Sequence, residues 1–316
     1  MTTVDELAAL QVRDAIEATT DNGSHPPATP DVFPLLSVAD LANLKPPAFL
    51  IDGILPAGGL SVLFGPSGCG KSLLAMDWAL CIANGLAWYG QPARQGWVLY
   101  IAAEGRSGLG VRVQAWMQAR RQASVQRIRF LPDAVNLLSV DALAKARRTL
   151  ASLPEPPVAV VIDTMARSMI GGDENAARDV GMFIAAADTL CKPSGAARLI
   201  IHHTGKNGDD ERGSSALRGA ADLMAALKPD GAGLRLECVK AKDAEPFEPW
   251  SLHLDSVADS CVVRLGSREG ATSDGRATDP RTTVSRAWQR SGCLGRAAAR
   301  VRCRGAQLLP RAKSPR

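Results

Sequence analysis

The 316-residue chain contains no stretch of eighteen or more uncharged apolar residues, which leaves no expected membrane-spanning helix. Its first thirty residues lack the basic-then-apolar order of a secretion signal, so the expected compartment is the cytoplasm and no membrane is expected among its partners. No C-x-x-C pair occurs among the seven cysteines, an odd number spread over positions 69, 81, 191, 238, 261, 293 and 303. That spacing argues against a disulfide framework or a zinc ribbon and for reduced thiols. No internal repeat is visible. What the chain has is apolar content, 46% of its residues, enough to build a sizeable core.

The net charge of +5 conceals two unlike regions. Between 268 and 316, eleven Arg and one Lys stand against two Asp and one Glu, an excess of nine positive charges, so the preceding residues carry an excess of four negative ones. Such a tail can hold nucleic acid by releasing condensed counterions. A disordered extension without a ligand and a segment read out of frame are the alternatives left open by its Arg-, Ala- and Gly-rich composition. At the other end, a short amphipathic stretch near 4–18 gives way to DNGSHPPATPD, whose Pro, Gly, Asn and Asp mark a linker. The expected organisation is a lead and linker over 1–45, an ordered ATPase-type core over 46–266 and a basic, disordered tail over 267–316.

Within the core, short β-type runs alternate with helix-type runs, the pattern of an α/β fold with a mainly parallel central sheet flanked by helices. LSVLF (60–64), WVLYIAA (97–103), VAVVID (158–163) and RLIIHH (198–203) are apolar on consecutive residues, as strands covered on both faces must be. Helices are expected near 72–86, 107–122, 140–152 and 176–190. After 224 the runs MAALK, LRLECVKAK, SLHLD and CVVRL are separated by turn signals such as Pro229-Asp230-Gly231 and Asp255, and are expected to finish the sheet as late antiparallel strands.

The first strand breaks into Gly65, Pro66, Ser67, Gly68, Cys69, Gly70, Lys71 and Ser72, which fits G-x-x-x-x-G-K-[ST] between a strand and a helix. Glycines are needed there because backbone N–H groups must curl around phosphates at conformations that side chains block. Lys71 offers a point charge to the phosphates of ATP, and the Ser72 hydroxyl offers a ligand to Mg²⁺. Cys69 reads as a small residue tolerated in the loop, or as a thiol that makes the site sensitive to oxidation. Asp163, ending the third run, stands where the carboxylate of a second nucleotide motif holds Mg²⁺ through water; a turn or capping aspartate is the plainer alternative. Thr164, not Glu, follows it, so a base for the attacking water must come from elsewhere. Glu104 is the candidate, since in a parallel sheet all C-terminal strand ends face one crevice, and Glu174 is the next.

This ordered set, with RLIIHHTGK and ERGSSALRG behind it, resembles the RecA-type core of the RepA family of hexameric plasmid and phage replicative helicases, relatives of the DnaB-type helicases. The likeness spans about residues 46–266. It implies a RecA fold, a homo-oligomeric, hexameric ring, ATP bound between neighbours and single-stranded DNA in the channel. With no fused primase or DnaB-like N-terminal domain evident, replication partner proteins are implied as well. Under the resemblance Glu104 becomes the water-activating base and His203, beside His202, a γ-phosphate sensor; adjacent strand residues face opposite sides, and His203 is the one expected to face the nucleotide. Arg167, before the Gly171-Gly172 pair and an Asp173/Glu174/Asn175 helix cap, and Lys206, in the loop 204–212, are the expected DNA contacts. These loops hold few aromatics, so phosphate tracking rather than base stacking is the expected grip. Arg212, Arg218, Lys240 and Lys242 are candidates for a cation reaching into the neighbouring subunit's site, and the family points to Arg212 and to a basic residue on the late strand.

The reading that follows is an ATP-hydrolysing ring helicase on single-stranded DNA. Its alternatives are a RecA-fold, DNA-dependent ATPase acting in recombination or loading without unwinding, and a regulatory ATPase with a protein partner and no nucleic acid.

Overall fold

The computed structural model describes residues 35–43, 48–104, 106–204 and 215–266. Two short elements precede the main sheet. Helix α1 (Val38–Ala42) is started by a capping box in which the Ser37 side chain and Asp40 satisfy each other's backbone N–H. Strands β1 (Phe49–Ile51) and β2 (Leu55–Pro56) then form an antiparallel hairpin. The linker expected over 21–31 lies outside the described residues.

The main sheet has nine strands: β3 (Leu60–Gly65), β4 (Val98–Ala102), β5 (Ile128–Leu131), β6 (Ala159–Asp163), β7 (Ala197–His203), β8 (Leu223–Asp230), β9 (Gly233–Ala241), β10 (Trp250–Val257) and β11 (Ser260–Leu265). Their spatial order is β11-β10-β9-β8-β3-β7-β6-β4-β5. From β8 to β5 all neighbours run parallel, and β9, β10 and β11 join antiparallel. The fold is therefore mixed α/β with a mostly parallel central sheet, helices on its faces and late antiparallel strands.

Period-two alternation divides the sheet between two cores. Leu63, Val98, Tyr100, Val161 and Leu199 point toward helices α2 (Lys71–Asn84) and α3 (Leu109–Arg120). Val62, Phe64, Leu99, Ile101, Val160, Ile162 and Ile200 point the other way, toward α4 (Val140–Ala151), α6 (Ala177–Cys191) and α7 (Ser215–Ala220). The short α5 (Met165–Ser168) follows β6 directly. Burial of each large apolar side chain contributes about 1.5–3 kcal/mol, which is why consecutive apolar residues, rather than alternating ones, mark these strands. Helix α2 lies between the sheet, α3 and β11 and is buried on nearly every side, so its sequence has no polar stripe.

One charged residue sits inside that helix. Asp77 is 3% exposed. It accepts from the indole N–H of Trp88 (2.8 Å) and of Trp116 (2.6 Å) and from the Arg120 guanidinium (3.1 and 3.3 Å). A buried carboxylate is tolerable when its lone pairs are filled in this way. The cluster ties α2 to α3 and to the turn that follows α2.

Two expectations need correction. The run beginning at Met224 was expected to be antiparallel, but β8 is parallel to β3, with Ser61 opposite Leu223 and Phe64 opposite Ala226. Helix α7 intervenes between β7 and β8, so the chain returns to the sheet's starting edge before β8 begins; only then do hairpins take over. The Asp173/Glu174/Asn175 cap is also displaced: Ala176 holds the N-cap position of α6 without a side-chain bond, while Asp173 accepts from the Asn175 N–H at 2.8 Å and Asp179 reaches back to the Asp173 N–H at 2.9 Å. Strand β5 and the β1–β2 hairpin are additions that their short, weakly patterned sequences did not announce. No helix among the described residues is long and apolar enough to cross a membrane, and the five cysteines described are free thiols.

Candidate functional site

The loop 65–72 leaves the C-terminal end of β3 and enters α2. An added Cβ at Gly65 would collide with the Leu227 carbonyl oxygen, so β8 leaves no room for a side chain there. Gly70 occupies the N-cap of α2 in the left-handed region (φ 99°), which side-chain-bearing residues rarely adopt. Behind it stand Leu234 and Leu254 of β9 and β10. Cys69 is buried, its thiol donates to the Leu227 carbonyl at 3.5 Å, and burial pushes its pKa up. It behaves as a small core residue rather than a reactive thiolate.

Lys71 is 4% exposed, with its ammonium donating to the carbonyls of Gly65 (2.9 Å) and Pro66 (2.8 Å). Burial lowers its pKa, against the pull of Cys69, Asp163 and Glu104. The ammonium also lies 3.3 Å from Nδ1 of His203. Since an ammonium can only donate, that nitrogen is the acceptor, which puts the ring proton on Nε2. Burial first, and then the Lys71 charge, hold the His203 pKa below its ordinary value, so the ring is neutral near pH 7. His202 faces the opposite core, level with Phe64, as strand alternation requires.

The Ser72 hydroxyl donates to Oδ1 of Asp163 at 3.0 Å, and the Tyr100 hydroxyl donates to Oδ2 at 2.8 Å. Burial raises the Asp163 pKa, opposed by these two hydrogen bonds and by the charge of Arg112. Glu104 is exposed just beyond β4, and the Thr164 hydroxyl donates to its Oε1 at 3.3 Å. Glu174 stands on the loop before α6, near enough for its charge to act on His203.

The structure thus brings Lys71, Ser72, Asp163, Glu104 and His203 to one edge of the sheet. Oxygen donors from Ser72 and Asp163, with glycine-rich backbone beside them, suit a hard cation such as Mg²⁺, which keeps several waters and takes few protein ligands. Among the described residues there is no group of three or more His, Cys, Asp or Glu that could hold a metal by itself. Arg167 is exposed on α5 at this same edge. Lys206 and Arg212 lie outside the described residues.

Arg218, Lys240 and Lys242 are elsewhere. The Lys240 ammonium donates to the Arg218 carbonyl (2.6 Å) and the Gly219 carbonyl (3.3 Å), and Lys242 stands 3.8 Å from Asp222. The register of β9 against β8 places Lys240 opposite Met224 and Ala241 opposite Leu223, at the starting edge of the sheet. Met224 is in turn level with Val62 of β3, so Lys240 stands three strand steps, roughly 10 Å, from the level of Gly65, toward the side away from the loop 65–72. Tyr100, Arg112 and the Leu227 carbonyl were not singled out from the sequence, and Thr164 was marked only as standing where a glutamate base would. The one available signal was a lone hydroxyl, that of Tyr100, in an otherwise apolar strand.

A nucleotide loop at the end of the central parallel strand β3, a carboxylate at the end of β6, with β7 between the two, and a second carboxylate just beyond β4 define a P-loop ATPase domain of the RecA-like superfamily. The family model described as an AAA domain matches residues 26–209, more than half of the chain, and the chain belongs to that family. Domains of this class generally bind ATP with Mg²⁺. Among solved structures, a KaiC-like protein, PH0186, from Pyrococcus horikoshii OT3 is similar, with a TM-score of 0.49 and 15% identity over 69% of this chain and 96% of that one. No curated protein matches the chain.

Proposed function

We propose that this domain hydrolyses ATP as part of a homo-oligomeric, hexameric ring that moves on single-stranded DNA in the cytoplasm, as a replicative helicase of the RepA type working with replication partner proteins. The observation that carries the ring is the placement of charge at opposite edges of the sheet. Lys71, Ser72, Asp163, Glu104 and His203 stand at one edge; Arg218, Lys240 and Lys242 gather at the other. Head-to-tail packing, which closes into a ring when the rotation permits, would bring the second set against a neighbour's first. A cation arriving there would offset charge growing on the γ-phosphate.

In this reading Lys71 and the loop amides bind the phosphates, and Ser72 and Asp163 hold Mg²⁺. Glu104 accepts the proton of the attacking water, with Thr164 fixing its carboxylate. His203 senses the γ-phosphate through Lys71. Arg167 and Lys206 are the DNA contacts, and Arg212 shares the trans-acting role with the cluster at the far edge. Strand displacement on a forked duplex, measured with ATP and with Lys71→Ala as control, tests the helicase reading. ATPase stimulated by single-stranded DNA without displacement would favour the recombination or loading alternative. No stimulation at all would leave a regulatory ATPase.

A further inference from the structure

Tyr100 is fully buried at the middle of β4, on the face that meets α2. Its neighbours along the strand are Leu99 and Ile101, and Phe130 of β5 packs against its ring at a centroid distance of 5.6 Å. For packing alone a phenylalanine would serve, and a hydroxyl placed there costs free energy unless it is bonded. It is bonded to Asp163, two positions further along the sheet: Ala102 is the register partner of Asp163, and Tyr100 that of Val161. The phenol therefore reaches along the strand direction to the carboxylate, and its short bond, 2.8 Å, occupies the oxygen that the Ser72 hydroxyl does not hold, with the Ser72 carbonyl farther off at 3.4 Å.

The two oxygens of Asp163 are thus unequal. Oδ2 is held by a donor on a rigid ring clamped between strands. Oδ1 accepts from the short Ser72 side chain, whose hydroxyl can rotate. We propose that Tyr100 is a positioning residue, whose hydroxyl fixes the Asp163 carboxylate so that Oδ1, on the Ser72 side, is presented to the Mg²⁺ of a bound nucleotide. This inference rests on the nucleotide reading of the loop 65–72. It assigns to a residue of the core the work of orienting a ligand of the metal shell, a kind of support whose loss typically costs 10–100-fold in metal affinity.

Tyr100→Phe keeps the ring and removes only the hydroxyl. The measurement is the affinity for a fluorescent N-methylanthraniloyl derivative of ATP, first in EDTA and then across a Mg²⁺ titration. The metal-free affinity should equal that of the unsubstituted chain, while the Mg²⁺ concentration at half effect should rise about tenfold. An unchanged Mg²⁺ half-point would overturn the proposal. A purely structural role for the hydroxyl would instead lower the affinity in EDTA as well, and that result also overturns it. A second measurement needs no change at Tyr100: the chain has two tyrosines, so in a Tyr89→Phe background labelled with 3-fluorotyrosine a single fluorine resonance reports on position 100. Adding Mg²⁺ to the nucleotide-loaded protein should shift it, and a resonance that does not move counts against the proposal. Failure of the underlying reading looks different, since Lys71→Ala would then bind the analogue as tightly as the unsubstituted chain.

Discussion

Two buried aspartates lie against helix α2, five residues apart in their points of contact, or about 7.5 Å along its axis. Asp77 is part of the helix, and its oxygens accept from two indole N–H groups and a guanidinium. Asp163 ends β6, touches the helix at Ser72, and accepts from two hydroxyls. Both are 3% exposed, so neither burial nor charge tells them apart. The donors do. Indole and guanidinium groups from α3 and from the turn after α2 hold Asp77 in one arrangement, and no ligand could replace them without breaking the contact between α2 and α3. The donor that Ser72 offers can turn, and Lys71, Glu104 and His203 stand around the same carboxylate. A closed shell makes a structural anchor, and an open one leaves room for a metal and a phosphate.

Lys71→Ala is the harshest test of the open end. Hydrolysis, followed by phosphate release, should fall to the uncatalysed background, because no other cation described in that loop can hold the phosphates. Undiminished turnover would remove the ground for calling the Asp163 end functional. Next in size, Glu104→Gln should retain nucleotide binding and lose roughly 10²-fold or more in turnover, the usual scale for loss of a general base. If the variant turns over normally, the base is elsewhere and Glu174 is the next residue to change.

At the closed end the effect should appear in stability instead. Asp77→Asn sets an amide N–H₂ against indole donors and removes the charge facing Arg120, which should cost about 2 kcal/mol in chemical unfolding. Turnover per folded molecule should stay as it was. A selective loss of turnover at full stability would erase the distinction between the two aspartates. The smallest effect concerns pH. Because the His203 pKa is depressed in the folded chain, the unfolded chain takes up that proton first as pH falls through about 6.5, and stability declines with acidification in that window. The difference in urea midpoint between pH 7.5 and 5.5 should therefore shrink in His203→Asn, and an unchanged difference would remove His203 as its source.

The elements that position the candidate site were legible because their signals are local. Glycines at fixed spacing, a Lys-Ser pair opening a helix and four continuous apolar runs describe strands β3, β4, β6 and β7 and the loop between β3 and α2 without reference to anything distant. A carboxylate at the end of such a run must lie near the loop once the sheet is parallel, which is how Asp163 and Glu104 could be named. What escaped depends on residues far apart in the chain. Tyr100 meets Asp163 across 63 positions and Cys69 meets the Leu227 carbonyl across 158. No period or spacing encodes either meeting.

By itself, then, the sequence determined the α/β class, the order of the elements and the chemistry offered at the loop 65–72, since these follow from backbone freedom and hydrophobic periodicity within a few residues. Only the tertiary structure decided that β8 runs parallel before the hairpins begin, that β8, β9 and β10 wall the loop, and that of two buried aspartates one is sealed and the other open. Those outcomes depend on which side chains from distant segments reach the same few cubic ångströms, and that is settled by packing, where hydrogen-bond partners compete for each buried polar atom.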